Sequence, residues 1–247
     1  IYFFKFFLHS CKLYMNFENP LLPAVLIKRY KRFFVDVKVK DKIITAHCPN
    51  TGSMMGLLNK GNKVWISKSN NEKRKLKYTL QIIEENKNKV GVNTHLTNKI
   101  VKEALECGFF KQFSKNALIE PEKKYGSNTR FDFLIRENKI KTFIEVKNVT
   151  LSRSNHLAEF PDSVTSRGLK HIANLIEAAK MGYNSYLLYV VQRNDCNKFA
   201  IAKDIDPEYS KLLTVAIKKK VKILCYDCKF SSKGIKLNKK IKLITNE

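Results

Sequence analysis

Asp132 and the triplet Glu145-Val146-Lys147 are the residues of this chain best suited to chemistry. Both fall in apolar runs of strand type, Arg130–Ile135 and Thr142–Lys147. Side chains two apart on a strand share a face, about 7 Å from each other along the backbone. Glu145 and Lys147 therefore point one way, while Ile144 and Val146 pack on the other side. With the first strand paired alongside, Asp132 converges on the same face. Two hard carboxylate oxygens suit Mg²⁺, or Mn²⁺ in its place, and the ammonium can set water against a phosphodiester. The competing explanation is a structural ion pair between Glu145 and Lys147 or Arg130. An acid that interrupts an apolar strand needs a cation nearby under either explanation.

Further polar residues border this group. Glu103 lies on the edge of a helical stripe made by Ile100, Val101, Ala104 and Leu105. It can serve as a third carboxylate or as a surface partner of Lys99 or Lys102. Gln192 ends an apolar run, where it can orient water or phosphate, or cap the next turn; ligands of open α/β sheets favour that strand end. Thr165, Arg167, Lys170 and His171 cluster at the start of a helix from about Val164 to Lys180. Free N–H groups there attract phosphate, and Arg167 and Lys170, three apart, share a face. A phosphate clamp and a plain solvated helix start are both open.

The elements that must carry these groups divide in two. Short strands at 26–39, 42–47, 64–67, 77–83 and 89–92 are separated by turn signals, which predicts a small closed β-barrel, OB-like, over 15–94. In it, Lys28-Arg29-Tyr30-Lys31-Arg32-Phe33 mixes cations with aromatics, and Arg74-Lys75 repeats the basic character. That mixture suits a nucleic-acid backbone with base stacking, although Tyr30 and Phe33 serve equally as barrel core. From residue 95 to 247 the order helix–strand–strand–helix–strand–helix–strand predicts an α/β domain. The Ser185–Gln192 run reads as its central strand, and Asp206-Pro207 caps its last helix.

Bulk properties fit a polyanionic partner. The 247 residues hold 47 Lys+Arg against 22 Asp+Glu, a formal charge of +25. Such a field draws nucleic acid and makes association salt-dependent. Arginine is rare, and most of its positions lie beside the motifs above, where a bidentate fork matters for phosphate. Six scattered cysteines read as reduced thiols of a cytoplasmic protein, with Cys225-x-x-Cys228 as two ordinary thiols rather than a zinc site. The apolar opening Ile1–Leu8 is far short of the roughly 20 residues a membrane span requires. Met15 is the expected natural start, with 1–14 an upstream extension, and no membrane role follows.

Several blocks in order carry a family likeness: Arg29-Tyr30-Lys31-Arg32-Phe33, His47-Cys48-Pro49-Asn50-Thr51-Gly52, Val92-Asn93-Thr94, Arg130-Phe131-Asp132-Phe133, Ile144 through Leu151, and Phe160-Pro161-Asp162-Ser163-Val164-Thr165 followed by Arg167-Gly168. Together they resemble the bacterial and archaeal sugar fermentation stimulation proteins, SfsA. The resemblance implies an N-terminal OB-like domain and a C-terminal domain of the PD-(D/E)XK nuclease type. It also implies largely sequence-independent DNA binding and a link to regulation of sugar (maltose) metabolism. On that pattern Asp132 and Glu145 match the metal-binding acids, Lys147 the catalytic lysine and Glu103 the acid of the preceding helix, while Phe131 replaces the proline that names the motif. A non-cleaving, DNA-binding transcriptional regulator is the alternative, because the fold also has binding-only members.

Overall fold

The computed structural model describes residues 14–126 and 129–244; apart from Tyr14, the expected 1–14 extension lies outside the described residues. After a two-residue strand β1 (Met15–Asn16), the chain builds β2 (Leu21–Tyr30), β3 (Phe34–Val39), β4 (Lys42–His47), β5 (Lys63–Lys68), β6 (Tyr78–Glu85) and β7 (Asn88–Gly91). Their order is β4-β3-β2-β5-β6-β7, and a β4–β6 pairing at His47 and Thr79 closes the sheet into the expected barrel. Alternation drives it: Val35 and Val37 point into the core with Leu26, Ile66 and Leu80, while Lys38 faces water.

The anticipated single strand over 26–39 is two strands. Left-handed backbone at Lys31 (φ 46°) and Arg32 (φ 61°) reverses the chain between them. Lys28, Tyr30 and Arg32 therefore do not share one strand face. No Gly or Asn marks the turn, so composition concealed it.

The second half runs α1 (Thr97–Glu106), β8 (Leu118–Tyr125), β9 (Thr129–Glu137), β10 (Ile140–Val149), β11 (Leu151–Ser154), β12 (Leu157–Phe160), α2 (Ser166–Lys180), β13 (Asn184–Val191), β14 (Lys198–Ile201), α3 (Pro207–Lys218), β15 (Lys222–Phe230), β16 (Gly234–Lys240) and β17 (Lys242–Ile244). Seven strands form a mixed sheet in the order β1-β16-β15-β13-β10-β9-β8, parallel at β10–β13 and β13–β15. Every residue of β13 after Asn184 is buried, as a central strand covered on both faces requires. One face packs against Ile172 and Leu175 of α2 and Leu213 of α3, the other against Ile100, Val101 and Leu105 of α1.

Between β10 and α2 the chain forms the β11–β12 hairpin, half of a smaller sheet β11-β12-β14-β17 and absent from the predicted order of elements. Its charges pair within the fold: Arg153 Nη2 meets Glu159 Oε1 at 2.6 Å and Asp204 Oδ1 at 2.9 Å. Cys225 and Cys228 sit in cores on opposite sheet faces, so they cannot share an ion. Cys48, Cys196, Cys225 and Cys228 are free and buried, whereas Cys107 is disulfide-bonded, against the expectation of reduced thiols throughout. No helix among the described residues is long and apolar enough to cross a membrane.

The barrel docks through backbone. Gly91 N–H donates to the Gln192 carbonyl (2.8 Å), and Val90 bridges Arg193 in antiparallel fashion. A side chain at 91 would collide with the Gln192 amide, which is why a residue without Cβ stands there. Arg193, 3% exposed, donates to Glu85 of β6 (2.7 Å), to Asp195 (2.7 Å) and to the Thr150 carbonyl (3.0 Å). Removing it strands two half-buried carboxylates, so Arg193→Ala should cost about 3 kcal/mol in urea unfolding, and Arg193→Lys should recover little because a point charge lacks the fork. A loss below about 1 kcal/mol would contradict this account of the junction.

Candidate active site

The site begins with strand pairing. Antiparallel register sets Phe133 opposite Ile144, which brings Asp132 on β9 beside Glu145 on β10. Asp132 Oδ2 accepts the Val146 N–H (2.7 Å), and Asn98 in the first turn of α1 donates to its Oδ1 (2.7 Å). Glu145 is 2% exposed, and its Oε1 accepts from Lys147 Nζ at 2.7 Å. His171 of α2 reaches the same oxygen through Nδ1. Arg167 Nε donates to His171 Nε2 (3.4 Å), so Nδ1 carries the proton that goes to Glu145. Lys147 Nζ lies 3.2 Å from that nitrogen.

The two carboxylates are unequal. Burial pushes Glu145 up, but the His171 hydrogen bond and the Lys147 charge outweigh it and leave the group below its ordinary value. For Asp132, burial and then the Glu145 charge dominate, and the donors Val146 and Asn98 only moderate a rise from 3.8 to about 6. One acid is kept ionised by partners on its own strand and helix. The other is held back by its neighbour.

Asp132, Glu145 and Lys147 thus meet as the sequence suggests. Gln192 is one step behind them: fully buried, it donates from Nε2 to Asn148 Oδ1 (2.6 Å) and Thr97 Oγ1 (3.0 Å), bracing the residue that follows Lys147. The α1 residue that touches Asp132 is Asn98. Glu103, half-buried and five residues on, projects about 140° around the helix from it. Asn98 and Asn148 are single amides without periodic signal, and nothing local in the sequence shows the partner of His171.

The basic residues disperse. Arg29 is consumed by the fold, donating to the carbonyls of Asn50 (2.8 Å), Gly52 (3.0 Å) and Arg32 (3.0 Å). Tyr30 stacks on Phe34 and reaches Asp36 (3.3 Å). Lys31 and Arg32 are exposed at the hairpin tip, Lys75 is exposed, and Arg74 donates to Thr79 (3.1 Å). Arg167 and Lys170 are exposed in the opening turns of α2, where Thr165 serves as cap by accepting from Gly168 N (3.0 Å).

An OB-type barrel seated on a mixed-sheet α/β unit, with two acids and a lysine on adjacent strands, defines the architecture. The chain matches the SfsA N-terminal OB domain over residues 27–92 and the sugar fermentation stimulation protein RE domain over 95–234. It is 55% identical over 230 residues to the sugar fermentation stimulation protein homolog of Pelagibacter ubique, covering 93% of this chain and 99% of that one. The Ruegeria species homolog is 45% identical over 226 residues, covering 90% and 97%. The solved structure of Pyrococcus furiosus SfsA in complex with Ca²⁺ superposes with a TM-score of 0.84 at 25% identity, over 94% of this chain and 98% of that one. The chain belongs to the SfsA family.

Asp132 supplies a pH test. Its folded-state pKa is raised, so the stability it contributes is present below about pH 4 and is lost as pH rises through about 6. The rise from 3.8 to about 6 is worth about 3 kcal/mol. Urea unfolding in EDTA at pH 4 and pH 7 should show the wild type losing up to that amount relative to Asp132→Asn. Parallel pH profiles for the two proteins would refute the shift.

Proposed function

We propose that this protein binds DNA with little sequence preference and hydrolyses its phosphodiester backbone in the cytoplasm with Mg²⁺, Mn²⁺ being able to substitute. The observation that carries this is the convergence of Asp132, Glu145 and Lys147 at paired strands β9 and β10. The formal charge of +25 supports a polyanionic substrate.

The residues fit a hard divalent cation. Asp132 and Glu145 repel across the strand pair, and that repulsion helps lift Asp132 to about 6; an ion between them removes the penalty. Among the described residues no group of three or more His, Cys, Asp and Glu is arranged as a metal cluster. Mg²⁺ does not require one, because it is commonly held by one or two carboxylates, with waters and substrate phosphate completing its shell. The Pyrococcus furiosus relative, solved with Ca²⁺, supports the same oxygen-ligand chemistry.

Asp132 and Glu145 are therefore assigned to hold the ion. When bound, such an ion supplies Lewis acidity, withdrawing charge from the phosphate and acidifying water. Lys147 Nζ orients the attacking water and offsets the negative charge that builds on phosphorus. His171 keeps Glu145 Oε1 turned toward Lys147, and Gln192 fixes Asn148 behind it. Arg167 and Lys170 steady neighbouring phosphates, Arg167 through the guanidinium that also meets His171.

Purified protein with supercoiled plasmid should nick it in Mg²⁺ or Mn²⁺ and not in EDTA. Lys147→Ala should slow nicking by about 100-fold or more while leaving DNA affinity nearly unchanged. Full-rate nicking by the variant would overturn the lysine's role. DNA binding without cutting in either metal would overturn hydrolysis and leave a binding protein.

A further inference from the structure

A cleft of about 340 Å³ opens where the barrel meets the start of α1. That is near the lower end of ordinary ligand clefts, roughly 300–1,000 Å³. Its floor is polar although it is built on barrel strands: Ser67 of β5, Gln81 of β6 and Asn93 are each at most 9% exposed. They form a relay in which Asn93 Nδ2 donates to Gln81 Oε1 (2.8 Å) and Gln81 Nε2 donates to Ser67 Oγ (2.8 Å). Each amide nitrogen retains a second proton to donate, and the serine hydroxyl, which accepts from Gln81, keeps its one. Arg74 adds its guanidinium at the rim, with one bond spent on Thr79. The cleft is thus rich in donors and suited to a ligand bearing carbonyl and phosphate oxygens.

Beside it stands an aromatic row. Phe33 and His47 lie nearly parallel (9°) with ring centroids 6.5 Å apart, and His95 follows at 6.5 Å from His47, tilted by 45°. Phe33 is 46% exposed, an apolar ring left in water at the hairpin tip. Burial, then Arg74 and His95, lower the His47 pKa, so its ring is uncharged at neutral pH and stacks as a neutral aromatic. The row points at a planar ligand. Lys99 lines this cleft while Asn98, its neighbour, touches Asp132, so the cleft and the acidic centre flank the same turn of α1.

We infer that this cleft receives one unpaired nucleotide, its base against the Phe33–His47–His95 row, its carbonyl oxygens on Gln81, Asn93 and Ser67, and its phosphate on Arg74. The inference rests on the DNA reading above and narrows the substrate to DNA with a single-stranded segment. A base held in duplex cannot enter without the cost of unstacking and unpairing, a few kcal/mol.

The test is fluorescence anisotropy in EDTA with an oligothymidylate, an abasic oligomer of equal length, and a blunt duplex. Stacking of one base is worth about 1–3 kcal/mol, which is about 5- to 150-fold in affinity. The wild type should bind the oligothymidylate about tenfold or more tightly than the abasic oligomer. Phe33→Ala with His95→Ala, both at exposed positions, should bring that ratio close to one. Equal wild-type affinity for the two oligomers, or a ratio that survives the double substitution, overturns the cleft assignment and leaves DNA binding standing. Failure to bind any of the three probes overturns the DNA reading itself, and the cleft with it.

Discussion

A carboxylate with almost no contact with water survives inside a sheet only when its charge is matched on the spot. Glu145 is in that position, and the match comes from Lys147 two residues along the same strand and from His171 on α2. Much else follows from this requirement. The helix must start where it does for His171 to arrive, and its start is fixed twice, by the Thr165 cap and by Asp206 Oδ2 accepting the Thr165 N–H (2.9 Å). Asp206 also caps α3 through Tyr209 N (3.0 Å), so one side chain sets both helix entries. Asp132, one strand away, forms no ion pair of its own among the described residues and feels the Lys147 charge only as its weakest influence. The asymmetry between the two acids is thus a consequence of satisfying the buried one first.

The residue that follows β13 ties the barrel to the centre. Gln192 accepts from Gly91 of β7 through its carbonyl and donates through its amide to Thr97 and Asn148. A continuous hydrogen-bonded path therefore runs from the barrel wall to the residue beside Lys147. The loop after β4 adds a second tie, with Ser53 Oγ donating to the Asp162 carbonyl (2.7 Å) and Met54 N–H to its carboxylate (3.1 Å). Arg29 braces that loop from beneath. This explains why an arginine in a basic, aromatic stretch is turned inward.

Sequence pattern revealed what periodicity and burial control. The barrel strands, the three helices and the fully buried β13 could be read because apolar spacing dominates there. Asp132, Glu145 and Lys147 could be read because charged residues interrupt apolar strands. What escaped obeys other rules. The Lys31-Arg32 turn uses left-handed backbone without Gly, and the β11–β12 hairpin hides behind its ion pairs. Strand β8 has no buried residue and no apolar run, and Glu120 in it pairs with Lys123 and Arg136. Asn98 gained its role from a fold contact between residues 34 positions apart, which no local pattern encodes.

The division between arginine and lysine bears on how the proposed DNA contact works. Several arginine forks are spent on the protein's own groups: Arg29 on loop carbonyls, Arg153 on Glu159 and Asp204, Arg193 on Glu85 and Asp195. Lys31, Lys75 and Lys170 are instead left in water, with Arg32 and Arg167 among them. A flexible ammonium attracts phosphate as a point charge and does not discriminate base edges, which are read chiefly by rigid bidentate groups. An outward field made mostly of lysine therefore favours attraction to the backbone over recognition of sequence, with affinity that falls steeply as salt rises. Selectivity for a substrate must then come from shape, and from which segments of a strand can leave the stack and reach the face shared by β9, β10 and α1.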